Sequence, residues 1–378
     1  MPNAPFAPHR ADLAALAADE RRRVLAPRSG ADFASNDYLA LAGSCALAEA
    51  MAQGAARGIP AGSGGSRLLR GNHAEHEALE AHAARHYGSA AALFFPTGFA
   101  ANAAIFATLP QRGDLVVHDA LIHASAHDGM KLGRAGRLDA RHNDVQSFDD
   151  VIARWRRGGG TGTPWIAVES LYSMDGDRAP LADLAAVAER HDAILIVDEA
   201  HATGVYGPAG QGLAHDLAGR DNVITLHTCG KALGCEGALV CGPAIVRDFL
   251  INRGRPFIFS TAPSPLMAWL VRQALELIAD QPERAARLQA LVRHAEKRFA
   301  ALDISASGSQ IIPVILGDNG RTMRVAAALQ AAGFDIRGIR PPTVPLGTAR
   351  LRVAITLNID ESDIDAMTDA LAVAMAEA

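Results

Sequence analysis

The chain has 378 residues, 49 % apolar and 20 % charged, enough for two or three domains and a large buried core. A net charge of −5 gives no hint of bulk binding to nucleic acid, and four cysteines without C-x-x-C spacing fit reduced thiols in a cytosol better than a disulfide set or a zinc site. The opening Met1-Pro-Asn-Ala-Pro-Phe6 lacks the apolar core of a signal peptide, and no internal repeat is visible.

In chain order, residues 9–25 read as an Ala/Leu/Arg helix ending in Arg21-Arg22-Arg23, which by itself is a solvated basic face. Ser35-Asn36-Asp-Tyr38 suits an Asx-turn. Gly58 to Asn72 is rich in Gly, Ser and Arg and is a candidate phosphate cradle. His73, His76, His82 and His86 follow on a helix with glutamates, without H-E-x-x-H spacing, so no metal is expected. Residues 88–111 carry no formal charge, which raises the question of a membrane span. Pro96, Thr97, Gly98 and Asn102 divide the run instead into a buried strand, Ala91–Phe95, a tight turn and a helix from Phe99. Such a unit aims helix N–H groups at an anion.

Leu115–Asp119 is a second strand, followed by His123, whose default reading is a satisfied core histidine. Pro164–Glu169 is a strand, Leu181–Arg190 an amphipathic helix, and Ala193–Asp198 an apolar strand ending in a carboxylate, with His201 three residues on. Asn222–Leu226 is a buried strand that breaks into a Gly-flanked turn holding Lys231, and Gly237–Gly242 returns as another strand. The alternation from Leu93 to Gly242 predicts a mostly parallel sheet covered on both faces. A long helical connection, Pro263 to about Leu302, leads to a smaller α/β unit with strands at 311–316 and 349–355 and helices at 320–332 and 361–377. The expected division is 1–44, an N-terminal helix and arm; 45–275, a large α/β domain; and 276–378, a small C-terminal α/β domain.

A lysine after one buried strand and an aspartate ending another suit pyridoxal phosphate. Lys231 would form the Schiff base with its aldehyde, and Asp198 would keep its ring nitrogen protonated. Asp198-Glu-Ala-His201-Ala-Thr-Gly and Thr228-Cys-Gly-Lys231-Ala-Leu-Gly resemble the α-oxoamine synthases, and the resemblance runs from about residue 20 to the C-terminus. It implies a pyridoxal-phosphate enzyme of the aspartate-aminotransferase type (fold type I), working as a homodimer with sites at the interface, without membrane or nucleic-acid partners. It also implies that Gly98 and Phe99 are the phosphate-loop pair and that His123 stacks on the pyridine ring. Ser173, His201 and Thr228 would contact the cofactor, with Glu169 an acidic residue on the same strand end as Ser173. Thr261 would reach the phosphate of the neighbouring subunit, and the Gly58–Asn72 loop would close near the site. Asn36, Arg352 and Thr343 would contact the amino-acid substrate, and Arg21 the acyl substrate. The spacing alone puts Arg350 and Arg352 on one strand face and does not choose between them.

The implied reaction is decarboxylative condensation of L-alanine with a pimeloyl thioester carried by coenzyme A or an acyl carrier protein, in the cytoplasm. Lys231 and His123 are the candidate acids for its late steps. The alternatives are a sibling synthase acting on glycine and an acetyl thioester, and a non-catalytic binding protein of the same fold. Pro341-Pro-Thr343-Val-Pro favours the first reading over its siblings.

Overall fold

A computed structural model describes residues 5–378; the first four residues of the stretch read as lacking a signal-peptide core lie outside the described residues. The chain divides into two compact units. One comprises Asn36–Ser173 with Asp177–Ala286; the other comprises the residues up to Ser35, Met174–Gly176 and Arg287–Ala378.

The larger unit is built on seven strands: β1 (Ala91–Phe95), β2 (Leu115–Asp119), β3 (Gly136–Ala140), β4 (Pro164–Glu169), β5 (Ile194–Asp198), β6 (Val223–Thr228) and β7 (Ala238–Gly242). Their order across the sheet is β1-β7-β6-β5-β4-β2-β3, with β7 antiparallel to both neighbours and every other pair parallel. Alternation within each strand feeds two cores. Leu115, Val117, Ile166, Val168, Leu195 and Val197 pack on one face, with residues of the helices Val145–Arg157 and Leu181–Arg190. Val116, Trp165, Ala167, Ile196 and Ile224 pack on the other, with the helices Gly98–Thr108 and Ala124–Leu132. Apolar side chains on both faces are what a parallel sheet covered by crossover helices requires. The edge strand β3 is mostly exposed and carries Arg137 and Asp139, which discourage further strand pairing.

The smaller unit holds a three-stranded antiparallel sheet in the order Gly338–Ile339, Ala349–Ala354, Ile311–Gly317, with helices Asn319–Ala331 and Glu361–Glu377. Two expectations need correction. The N-terminal helix spans Ala7–Ala18, short of the arginine run. It stops because Glu20 turns left-handed (φ 54°), and the Arg21 and Arg22 N–H groups close back on Leu16 O. The long helical connection is two helices, Pro265–Asp280 and Glu283–Ala300. Pro282 has no N–H to give and forces Gln281 out of helical geometry (ψ 63°).

Past β3, the His142 ring is held between two carboxylates: Nδ1 lies 2.8 Å from Asp119 Oδ1, and Nε2 lies 2.8 Å from Asp177 Oδ2. Burial opposes a charge there, but the two hydrogen bonds raise the His142 pKa to about 10. The contact pins the turn after β4, where Tyr172 N also donates to Asp177 O at 2.9 Å. A pKa raised in the folded chain adds stability in full below the ordinary histidine value and loses it as pH climbs toward 10. His142→Ala should therefore cost about 2 kcal/mol near pH 6, in the range for hydrogen bonds to charged groups. In urea unfolding, the gap to the parent should narrow steadily from pH 7 to pH 10. A gap that stays constant with pH would show that the ring is not held as an imidazolium.

Candidate active site

The C-terminal ends of β1, β2, β4, β5 and β6 open on one cavity of about 450 Å³, a size that suits a small molecule. In open parallel sheets this is the edge where ligands bind. Each strand delivers one part.

After β1, Thr97 caps the helix Gly98–Thr108 by accepting from Ala100 N at 3.0 Å, and Ala101 N bonds Thr97 O. The Gly98 and Phe99 N–H groups are left facing outward, a ready anion site reinforced by the helix dipole. Gly98 has to be glycine, because a Cβ there would stand 2.7 Å from Thr228 Cγ2. After β2, His123 opens the helix Ala124–Leu132, and Ser125 N donates to its Nδ1 at 3.2 Å. Desolvation lowers the His123 pKa, against the pull of Asp198 and with the push of Lys231.

Asp198 ends β5, 8 % exposed. Its Oδ2 accepts from Asn102 Nδ2 at 2.8 Å and its Oδ1 from Ala200 N at 2.9 Å, so both oxygens are held as acceptors. Asn102 also donates to Ser125 Oγ at 2.9 Å, and Ser125 Oγ lies 2.7 Å from His123 Nδ1. A single chain of hydrogen bonds thus runs from buried Asp198 out to His123. After β6, Lys231 Nζ lies 2.7 Å from His201 Nε2, and His201 Nδ1 lies 2.7 Å from Tyr38 OH. The Tyr38 hydroxyl donates to Asn36 Oδ1 at 3.0 Å.

Of the residues expected from the sequence, Gly98, Phe99, His123, Asp198, His201, Thr228 and Lys231 all line this cavity. Asn36 joins through Tyr38 and His201. Ser173 sits just behind, its N–H donating to Glu169 Oε2 at 3.1 Å. Thr261 does not line the cavity. It is exposed, and its neighbour Ala262 is tied to the Gly58–Asn72 loop through Gly65 O and Ser63 Oγ. That loop does not form a phosphate cradle at the cavity, and Arg67 is committed to Glu80 (2.7 and 3.0 Å). Arg21, Thr343 and Arg352 belong to the smaller unit. There Arg21 Nε donates to Pro341 O (3.1 Å) and Arg23 to Thr343 Oγ1 (3.1 Å), joining the arginine run to the Pro341–Pro345 segment. Arg350 and Arg352 are both buried on Ala349–Ala354, and Arg350 is paired with Asp175 at 2.5 Å. Among the described residues no cluster of three or more His, Cys, Asp or Glu is arranged to hold a metal ion, and no helix is long and apolar enough to cross a membrane.

Sequence reasoning missed Asn102, Ser125 and Tyr38 as parts of the site. Asn102 had a signal: it is the one polar residue in the interior of an otherwise apolar helix.

A family model described as aminotransferase class I and II matches residues 29–371. The chain belongs to this family and is a pyridoxal-phosphate-dependent enzyme. It is 42 % identical over 378 residues to an 8-amino-7-oxononanoate synthase of Anaeromyxobacter dehalogenans, covering 96 % of this chain and 94 % of the relative. A synthase of the same name from Chromobacterium violaceum is 42 % identical over 348 residues, with 92 % and 89 % covered. Among solved structures, the 8-amino-7-oxononanoate synthase of Francisella tularensis matches at TM-score 0.77 and 27 % identity over 91 % of this chain and 97 % of that one. A serine palmitoyltransferase of Sphingomonas wittichii matches at TM-score 0.88 and 26 % identity over 99 % and 98 %.

The residues present fit the cofactor. An open helix N-terminus suits a phosphate, a buried carboxylate with one donor on each oxygen and acceptor capacity to spare suits a pyridinium, and a half-buried lysine amine suits an aldehyde. Because Asn102 supplies one of the two donors to the buried Asp198 carboxylate, Asn102→Ala should destabilise the cofactor-free chain by about 2 kcal/mol in urea unfolding, and the cofactor should dissociate faster. A loss below about 0.5 kcal/mol would mean that water replaces the amide and that the chain from Asp198 to His123 is not structural.

Proposed function

We propose that this chain condenses L-alanine with a pimeloyl thioester, releasing carbon dioxide and the free thiol carrier and leaving 8-amino-7-oxononanoate, a step of biotin synthesis. One observation carries the reading: Lys231, Asp198 and His123 share a cavity in a chain 42 % identical, over nearly its whole length, to synthases of that name. The serine palmitoyltransferase likeness supports the fold and the cofactor.

Pyridoxal phosphate, when bound, supplies an aldehyde that captures primary amines and a ring that takes up the electron pair left on an amino acid's α-carbon. The Gly98 and Phe99 N–H groups and Thr228 would hold its phosphate. Asp198 would hold the proton on its ring nitrogen, a strong pairing because little water screens it. Ser173 and His201 would orient the ring. Lys231 takes the proton from the α-carbon of alanine, and His201 Nε2 orients the amine by accepting from it. His123 offers an Nε2–H for the later proton deliveries. Asn36 and Thr343 contact the substrate.

Arg352 binds the alanine carboxylate and Arg21 the distal carboxylate of the pimeloyl chain. Two things support the choice of Arg352 over Arg350: the family resemblance, and the commitment of Arg350 to Asp175. A planar guanidinium with a fixed charge suits each carboxylate. We read the working unit as a cytoplasmic homodimer, with Thr261 reaching the neighbouring subunit's phosphate. Leu69 and Phe259, 84 % and 71 % exposed, support a covered face near that segment.

The purified enzyme should release carbon dioxide and thiol from L-alanine with a pimeloyl thioester far faster than from glycine with an acetyl thioester. Borohydride should fix the cofactor to Lys231. The reverse substrate preference would make the chain a sibling synthase, and label on another lysine would remove Lys231 from its role.

Arg352→Ala should raise the KM for alanine about ten- to a hundredfold, the cost of one charge-assisted bond of about 1.5–3 kcal/mol. Arg350→Met should lower the melting temperature instead and leave alanine affinity near that of the parent. If the two variants exchange these phenotypes, Arg350 is the anchor.

A further inference from the structure

Glu169 and Asp198 are register partners at the ends of β4 and β5, adjacent parallel strands, and they are 2 % and 8 % exposed. Strand neighbours lie about 4.8 Å apart. Register partners on parallel strands point to the same face, and two carboxylates that neighbour each other in a dry setting do not both ionise, so one keeps a proton. The supply of donors decides which. Asp198 has a donor on each oxygen, Asn102 Nδ2 and Ala200 N. Glu169 has one, Ser173 N on Oε2. Its Oε1 is buried without a partner, and the residue lines the cavity.

We propose that Glu169 is a neutral carboxylic acid whose proton, on Oε1, serves the cavity as a hydrogen-bond donor and a proton reserve beside ionised Asp198. The acceptor it suits is an oxygen carrying negative charge on the molecule bound there. The groups that face it are consistent with this. Asp198 and Asp119 disfavour its ionisation, Lys231 favours it, and the Tyr172 hydroxyl close by is itself held neutral by burial. Burial first, and the charge on Asp198 second, raise the Glu169 pKa to about 8. The proposal leans on the pyridoxal-phosphate reading of the cavity only for what the proton meets; the proton itself belongs to the chain.

Infrared difference titration of the full-length protein, with and without cofactor, reads that proton directly. The cofactor-free protein should show a protonated-carboxyl C=O band that is missing in Glu169→Gln and titrates near pH 8. In Asp198→Asn the midpoint should fall toward the ordinary glutamic-acid range, and in the parent protein cofactor binding should move the band to lower frequency as the O–H finds its acceptor. A midpoint in the ordinary range in the parent, or no Glu169-dependent band at neutral pH, overturns the proposal. An unmoved band on cofactor binding overturns the donor role.

Unfolding gives a second reading. A folded-state pKa above the unfolded value gives stability that is present at low pH and lost as pH rises through it. Relative to Glu169→Gln, the parent's unfolding equilibrium constant should therefore rise about tenfold per pH unit between about pH 4.5 and 8. A flat ratio counts against the proposal. Failure of the condensation assay with a positive titration would defeat the substrate reading alone, and the opposite pair of results would defeat the proton alone.

Discussion

The buried carboxylate of Asp198 is the constraint on which the rest of the site depends. A bare carboxylate in the interior of a sheet would cost several kcal/mol and would give up its charge. This chain lets it persist by bringing two donors to it, one from the backbone of its own turn and one from Asn102 in the middle of the helix Gly98–Thr108. The same helix presents open N–H groups at its N-terminus. One helix therefore sets both the open N–H groups and the carboxylate at the floor of the cavity, so their separation is fixed by the rise of an α-helix rather than by loops. Sites mounted on regular elements hold geometry better than sites on loops.

Much of this was legible in the sequence. Buried strands in β-branched and apolar runs, and helices in 3.6-residue periodicity, follow from local pattern, and the placements of β1, β4, β5, β7 and the C-terminal elements agree with the structure within a residue or two. Lys231 and Asp198 were legible because one follows and the other ends a buried apolar strand, where a charged side chain has no solvation role; His123 and His201 were legible only through the family resemblance. Asn102, Ser125 and Tyr38 were not. Their roles depend on which residues lie beside them after the sheet has formed; a polar residue inside an apolar helix, as at Asn102, marks a position but does not name its partners. The register of β4 against β5 was invisible for the same reason. Nothing in either strand alone states that Glu169 ends level with Asp198.

The two cavity histidines show how backbone and side-chain partners assign chemistry that composition leaves open. The N–H of Ser125 donates to His123 Nδ1, so that nitrogen is an acceptor and the neutral ring carries its proton on Nε2. For His201 the assignment is reversed. Tyr38 gives its own proton to Asn36, so its oxygen is an acceptor for His201 Nδ1–H, and His201 Nε2 is left as an acceptor next to the Lys231 amine. The partners of the two rings thus select opposite tautomers. One ring offers a proton to the cavity and the other accepts from the lysine. The difference originates far from the ring atoms that use it: in the capping turn before Ala124–Leu132 for His123, and in the Asn36–Tyr38 segment for His201. A change such as Tyr38→Phe removes no atom from the cavity lining, yet it takes away the oxygen that holds the His201 proton on Nδ1. The ring is then free to place that proton toward Lys231, where it would compete with the amine's own hydrogen bond.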